Sequence, residues 1–433
     1  MKIGFARLDV TPPNGTCIAS RYFYFVPSTG CLDALELNAL AASDGESTAV
    51  IIAADFGGMA QHYMNDFRAR VSAHTGLPVE RIFITTLHQH TSIVVADPVE
   101  CDTPMNDPVL LEWLMRRFCD VASDALADMS DATMQVGAKL TAEQISFIRR
   151  NDKVEDKDAP DGYRYVSYGP EPDNRVYVAR FVREGKADVA LVNFGTHPDV
   201  VGTKAFCNDW LGATRRFVEK DIQNVHCMMI NGFQGDVNHF NYYTVTAEER
   251  KKMSGKVHAE KMGRVIADAV MEMWGKLVPC AAKSVKTQTD MIYTRTRTDG
   301  IERYDEAFAY CEAYKLDHHA KHPTDMNIAE AQRIVEIREG ATIYQKIPVC
   351  TIEIGGLLIA GIGAEPFTKY GYAIRELAGD RALVMTACLM NGYECYMPHT
   401  DDFQKRDYAV TRSRFTPVLF GETLAAFEKM LAR

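Results

Sequence analysis

Two periods of hydrophobic and polar residues alternate along this chain. Continuous apolar, β-branched runs at residues 47–56 ("STAVIIAADF") and 81–86 ("RIFITT") predict strands buried on both faces. Between them, "GMAQHYMNDFRARVSAHTG" predicts a helix ending at Gly76. Residues 107–129 form an amphipathic helical pattern with Pro108 in its first turn. "TMQVGAKLTAEQISFIR", "RVYVARFVR" and "ADVALVNFG" predict strands, the last two joined by a Glu-Gly turn. "NVHCMMINGFQGDVN" reads as a strand running into a glycine-punctuated loop. Residues 246–277 predict one long helix through Gly255 and Gly263, and residues 303–338 a second helical block split near "HHAKHPTD". "VCTIEIGGLLIAGIGAE" predicts a hairpin ending at Glu365, "PFTKYGYAIREL" a helix with Pro366 at its first position, and "ALVMTACLM" another buried strand. The expected fold is α/β, a mixed β-sheet core with flanking helices. It forms one domain over 1–433, with a polar helical insertion at about 300–342.

Polar residues collect where the apolar runs stop. "IFITTLHQHTS" ends on His88 and His90, which share a side if the backbone stays extended. "LVNFGTHPDVVG" ends on His197, "GIGAEPF" on Glu365, and "ALVMTACLMNGYECYMP" on Tyr393 and Tyr396. "MMINGFQGDVNH" supplies Asn231, Asp236, Asn238 and His239. Ligand sites in open α/β sheets lie beyond strand ends. A His/His/carboxylate set suits zinc, whose bound water has its pKa lowered to about 7. Plainer readings stand beside this one. His197 before a proline suits a hydrogen-bonded loop residue, Glu365 a carboxylate at a helix N-terminus, and the tyrosines core positions with satisfied hydroxyls. His318, His319 and His322 sit on a polar helical break and read as solvated surface.

Charge and composition narrow the choice. A net charge of −10 lacks the positive footprint of a nonspecific nucleic-acid binder. No apolar run is long enough for a transmembrane helix, and "MKIGFARLDVTPP" does not read as a signal peptide. Eleven cysteines without a CxxC pair then predict reduced, mostly buried thiols in a cytoplasmic protein, with no membrane partner. The choice between monomer and homo-oligomer stays open.

Several of these segments together resemble the neutral/alkaline ceramidase family. "GFARLDVTPP" resembles its "G-x-A-x-x-D-I-T-P" opening, "VIIAADFGG" its strand ending in Asp, and "TLHQHTS" its "T-H-T-H-S-G". "FIRRND", "NFGTHP", "GDVN", "AEPFTKYG" and "NGYECYMP" follow in the family's order, spread over about 1–412. The resemblance implies a zinc amidohydrolase with one zinc per chain, held by His88, His197, Glu365 and Tyr396. His90 then sits beside the metal, and Arg149, with Arg150 next to it, matches the family's arginine. His90 and Arg149 are the candidates for stabilising an oxyanion. Asp236 is a candidate to orient a ligand histidine or take a proton from water, or else a turn residue. Arg150, Asn231 and Asn238 are the candidates for substrate contact. Two departures shape the expected substrate. The family places a nucleophilic serine just before "G-D-V-S-P", where this chain has Asn231 or Gly232 in "INGFQGDVNH". The signal peptide and C-terminal β-sandwich of secreted ceramidases have no counterpart in the expected architecture. A small soluble amide, or a related ester, is therefore expected rather than a long-chain sphingolipid. The alternatives are a lyase or other metal-dependent reaction at the same site, or a non-catalytic binding protein on the same scaffold.

Overall fold

A computed structural model of the chain describes all residues except 20–24, 97–106, 150, 159–161, 168–170, 242–244, 282, 318, 323–325, 382, 406 and 433. Its centre is a mixed sheet of nine strands among the described residues. The strands are β1 (Lys2–Asp9), β2 (Glu36–Ser43), β3 (Thr48–Ala54), β4 (Ile82–Thr86), β5 (Ser130–Leu140), β6 (Arg175–Arg183), β7 (Asp188–Phe194), β8 (Val225–Asn231) and β9 (Val278–Cys280). Their order is β8-β7-β6-β5-β1-β2-β3-β4, with β9 also on β5. A second sheet runs β10 (Val285–Arg295), β11 (Tyr344–Ile354), β12 (Leu357–Ile362) and β13 (Leu383–Ala387). Three neighbouring pairs are parallel: β3 with β4, β7 with β8, and β12 with β13. Such strands are buried on both faces, which is why they read as unbroken apolar runs.

The two sheets are sewn together at the carboxyl ends of these pairs. The Asn193 side chain on β7 donates to the Thr386 carbonyl on β13 and accepts from its N–H. The Cys388 N–H donates to the Asn231 carbonyl, and the Thr86 N–H to Leu389. The carboxyl ends of β4, β7, β8 and β13 therefore meet in one place. The helices are α1 (Gln61–Thr75), α2 (Pro108–Ala127), α3 (Asp209–Asp221), α4 (Ala247–Lys252), α5 (Lys256–Trp274), α6 (Tyr304–Leu316), α7 (Ile328–Gly340), α8 (Thr368–Ala378), α9 (Tyr408–Arg412) and α10 (Leu419–Leu431), of which α6 and α7 pack on each other around a small core of their own. No helix among the described residues is long and apolar enough to cross a membrane.

Three expected elements are built differently. The helix of 246–277 is two helices, because Gly255 between α4 and α5 has φ +87°, a value that helical backbone excludes. The strand from Thr133 stops at Leu140, where pairing with β6 ends. The Asn174 side chain then takes the N–H groups of Ile145 and Ser146 and turns the chain. Pro366 does not open a helix. Glu365–Pro366 is extended and pairs with Tyr396–Met397, and α8 begins at Thr368.

Gly263 lies inside α5 and marks its closest approach to α3. A Cβ there falls 2.5 Å from Ala213 Cβ and 2.8 Å from the Thr214 nitrogen. Gly263→Val is expected to lower stability by about 1–3 kcal/mol, as overpacking does. Urea unfolding monitored by circular dichroism reads this directly, and an unchanged midpoint contradicts the packing argument.

Candidate metal centre

After β4 the extended backbone does not continue to His90. The Leu87 N–H donates to Ala54 at 2.9 Å and the His88 N–H to Phe56 at 2.8 Å, and His88 takes φ +70°. Alternation along a strand is thus not what aims His88. A tight turn is. The His88 ring is set by Nδ1, 2.7 Å from the Gly57 carbonyl. His197, three residues past β7, is set by Nδ1 at 3.0 Å from the Gln234 carbonyl and 3.1 Å from that of Val237. Both rings therefore carry their proton on Nδ1 and present Nε2 as a lone pair.

Glu365 brings the third donor. Its Oε2 lies 3.3 Å from His88 Nε2 and 3.1 Å from His197 Nε2. The Gly235 N–H donates to the Pro366 carbonyl at 2.9 Å. A Cβ on Gly235 would sit 2.3 Å from the Glu365 carbonyl oxygen, so only glycine permits this approach. Tyr396, paired with Glu365 across the short ladder, places its hydroxyl 3.5 Å from His197 Nε2. His88 Nε2 and Glu365 Oε2 are buried and have no hydrogen-bond partner among the described residues. Lone pairs brought this close without a proton between them repel, unless a cation lies among them. The donor set therefore fits a metal ion. Ring nitrogens of His88, His90 and His197 also lie within 4.8 Å of one another.

The same groups are strongly coupled electrostatically. Burial opposes ionisation of Glu365, yet the two imidazoles hold its carboxyl well below the ordinary carboxylate range. Burial disfavours a charged His88, but Glu365 overrides this and raises its pKa. Burial, then Arg149, push His197 down. Burial, then Glu365, push the Tyr396 phenol well above its usual value, and Arg149 opposes them.

The remaining expected residues surround this centre. Arg149 stacks its guanidinium 4.8 Å over the Tyr396 ring and 5.8 Å over that of Tyr408, and donates to the Gly235 carbonyl at 2.7 Å. Its Nε is buried without a hydrogen-bond partner among the described residues. His90 is half-buried, with its ring 4.9 Å from that of His88 and 5.9 Å from that of His197. Asp236 Oδ1 accepts from the N–H and the hydroxyl of Thr368, both at 2.7 Å, and so caps the helix that follows Glu365. The bonds that orient the His88 and His197 imidazoles come from carbonyl groups. Asn231 is fully buried, and its amide donates to the Leu87 carbonyl and to Gln234 Oε1. Asn238 Nδ2 lies 3.4 Å from Asp199 Oδ2. The Tyr393 ring lies 6.4 Å from that of His88. Arg150 and His318 fall outside the described residues.

Sequence reasoning gave no role to two groups of residues. Asp55, Gln89 and Arg215 form a buried network behind His88. Asp199, two residues past His197, sits 3.2 Å from His239 Nδ1. Burial opposes its charge, and His239 still holds its carboxyl well below the usual range. Asp199 stands in "THPD" with no periodic or motif signal of its own. Only the contact made by the distant "DVNH" segment reveals it.

Nearby Asp209 makes a measurable pH dependence. Burial pushes its carboxyl up to about 6, against the N–H groups of Trp210 and Val201. The unfolded carboxyl titrates near 3.9, so the folded state binds more protons between those values and loses stability as pH rises through them. A shift of about two pKa units corresponds to about 3 kcal/mol. Asp209→Asn is expected to gain stability relative to wild type by roughly that amount between pH 4 and 7. Parallel thermal melts across that range decide it, and a pH-independent difference refutes it.

No family model and no curated protein sequence matches the chain. Solved structures do. Neutral ceramidase from Pseudomonas aeruginosa superposes with a TM-score of 0.72 at 13% identity, covering 99% of this chain and 73% of that one. A structure described as ceramidase complexed with C2 gives 0.72 at 12% identity, covering 99% and 74%. The chain therefore has the ceramidase fold, a mixed α/β architecture.

Proposed function

We propose that this chain is a zinc-dependent hydrolase that cleaves the C–N amide bond of a small soluble substrate with a metal-activated water. One observation carries the reading. His88 Nε2, His197 Nε2, Glu365 Oε2 and the Tyr396 hydroxyl converge, and both imidazole Nδ1 groups are committed to carbonyls. The fold shared with neutral ceramidase supports amide hydrolysis. A zinc ion held there supplies Lewis acidity and lowers the pKa of its water to about 7.

The chain's own residues account for the rest. Arg149 holds positive charge against the Tyr396 ring, with its Nε free of protein hydrogen-bond partners among the described residues. In this reading it stabilises the oxyanion that develops on the scissile carbonyl, together with His90. Asp236 fixes the start of α8 and with it the position of Glu365. Asn231 or Gly232 stands where the resemblance places a serine. Neither offers a hydroxyl, which favours water over a protein nucleophile. Asn238 with Asp199 borders His197 and is the polar contact proposed for substrate. The insertion α6–α7 docks through Glu336, whose carboxylate takes two bonds from Arg412 at 2.8 and 2.6 Å. Arg412 lies on α9, as does Tyr408, whose ring meets that of Tyr396 at 5.7 Å. The insertion is therefore proposed to shape the substrate entrance.

The test is metal analysis of freshly purified protein, followed by a screen of short N-acyl compounds with and without chelator. About one zinc per chain, with hydrolysis that stops on chelation and returns with zinc, supports the reading. Protein that neither contains nor binds zinc removes it.

A further inference from the structure

Asp55 and Arg215 form an ion pair with almost no access to water, at 0% and 2% exposure. Arg215 grips the carboxylate with both arms, Nη1 to Oδ1 at 3.0 Å and Nη2 to Oδ2 at 2.5 Å. The Glu36 N–H adds a bond to Oδ2 at 2.9 Å, and Gln89 Nε2 one to Oδ1 at 2.8 Å. Four donors thus occupy the acceptor sites of one carboxylate. The arginine is anchored in turn, its Nε 3.2 Å from the Glu36 carboxylate. Buried pairs of this kind add little net stability over apolar residues of the same shape, so stability alone does not explain the charges.

The position of the pair supplies a reason. Asp55 follows β3, and two residues on, Gly57 gives the carbonyl that fixes the His88 ring. Its side chain also holds Gln89, the residue directly after His88. The Asp55 side chain therefore holds the His88 turn directly through Gln89, and its backbone leads two residues on to the Gly57 carbonyl. The turn needs a grip, because His88 lies at φ +70°, which a side-chain-bearing residue resists. A relaxed His88 would swing Nε2 away from Glu365.

We infer that the Asp55–Arg215 pair, acting through Gln89 and Gly57, is a positioning device that presets His88 for metal. This rests on the metal-centre reading above. Outer partners of metal ligands typically change affinity by roughly 10–100-fold when removed. The experiment measures zinc affinity of intact folded protein by competition with a chromophoric chelator. It compares wild type, Gln89→Met, Asp55→Asn and a remote core control, Val178→Ala. The visible spectrum of Co²⁺ added in place of zinc reports ligand geometry. Gln89→Met leaves the ion pair in place and decides the matter if Asp55→Asn does not fold. The expected result is zinc binding roughly 10–100-fold weaker in the network variants, with an altered cobalt spectrum. The control binds like wild type despite a lowered melting temperature. Network variants that bind zinc as wild type does, with an unchanged cobalt spectrum, overturn the inference. Wild type that binds neither ion overturns the metal centre itself and this inference with it.

Discussion

Replacing His88 and His197 together with alanine is expected to take bound zinc from about one ion per chain to none and to lower hydrolysis by roughly three orders of magnitude, about 4 kcal/mol. The geometry sets this size. The double variant removes both nitrogen donors and leaves the Glu365 carboxylate and the Tyr396 hydroxyl, too few to hold a metal at a four-coordinate site. It also strips Glu365 of the two imidazoles that hold its carboxyl low, so a buried carboxylate loses its partners. Tyr393→Phe is the matched control, since Tyr393 is not a proposed ligand. Elemental analysis and hydrolysis assays on the same preparations settle the point. A double variant that keeps its zinc places the metal elsewhere.

Arg149→Ala is expected to reduce kcat about 10²–10³-fold while the metal stays bound, the usual effect of removing one oxyanion donor. Arg149→Lys is expected to recover little of this. A lysine ammonium cannot lie flat on the Tyr396 ring at 4.8 Å and also reach the Gly235 carbonyl as the planar fork does. Steady-state kinetics with zinc quantified in each preparation separates the roles. Loss of zinc in Arg149→Ala would mean that the arginine works by holding Tyr396. A rise in KM with unchanged kcat would mean that it binds ground-state substrate.

The elements that position the site were legible because each is a local apolar pattern. β3, β4, β7, β8 and β13 are largely buried runs, and polar residues gather within a few positions of where each run stops. The strand ends alone pointed to His88, His90, His197, Glu365, Tyr393 and Tyr396, and the choice of His88, His197, Glu365 and Tyr396 among them came from the resemblance. What failed was local conformation under tertiary control. Glu365–Pro366 looked like a helix start, since proline suits that place. The strand-like partner that overrides it, Tyr396–Met397, lies some thirty residues away and meets Glu365 only when the sheets close. Residues 246–277 looked like one helix because periodicity cannot register a positive φ at Gly255.

The sequence by itself thus determined the alternation of strands and helices and the chemical character of the strand ends, because both depend on neighbours a few residues apart. The tertiary structure alone decided which lone pairs meet and which protons point away. It also decided that a carboxylate at position 55 and an arginine at 215 stand behind His88. Those contacts join segments up to hundreds of residues apart, and their energies depend on distance and burial, which no local pattern encodes.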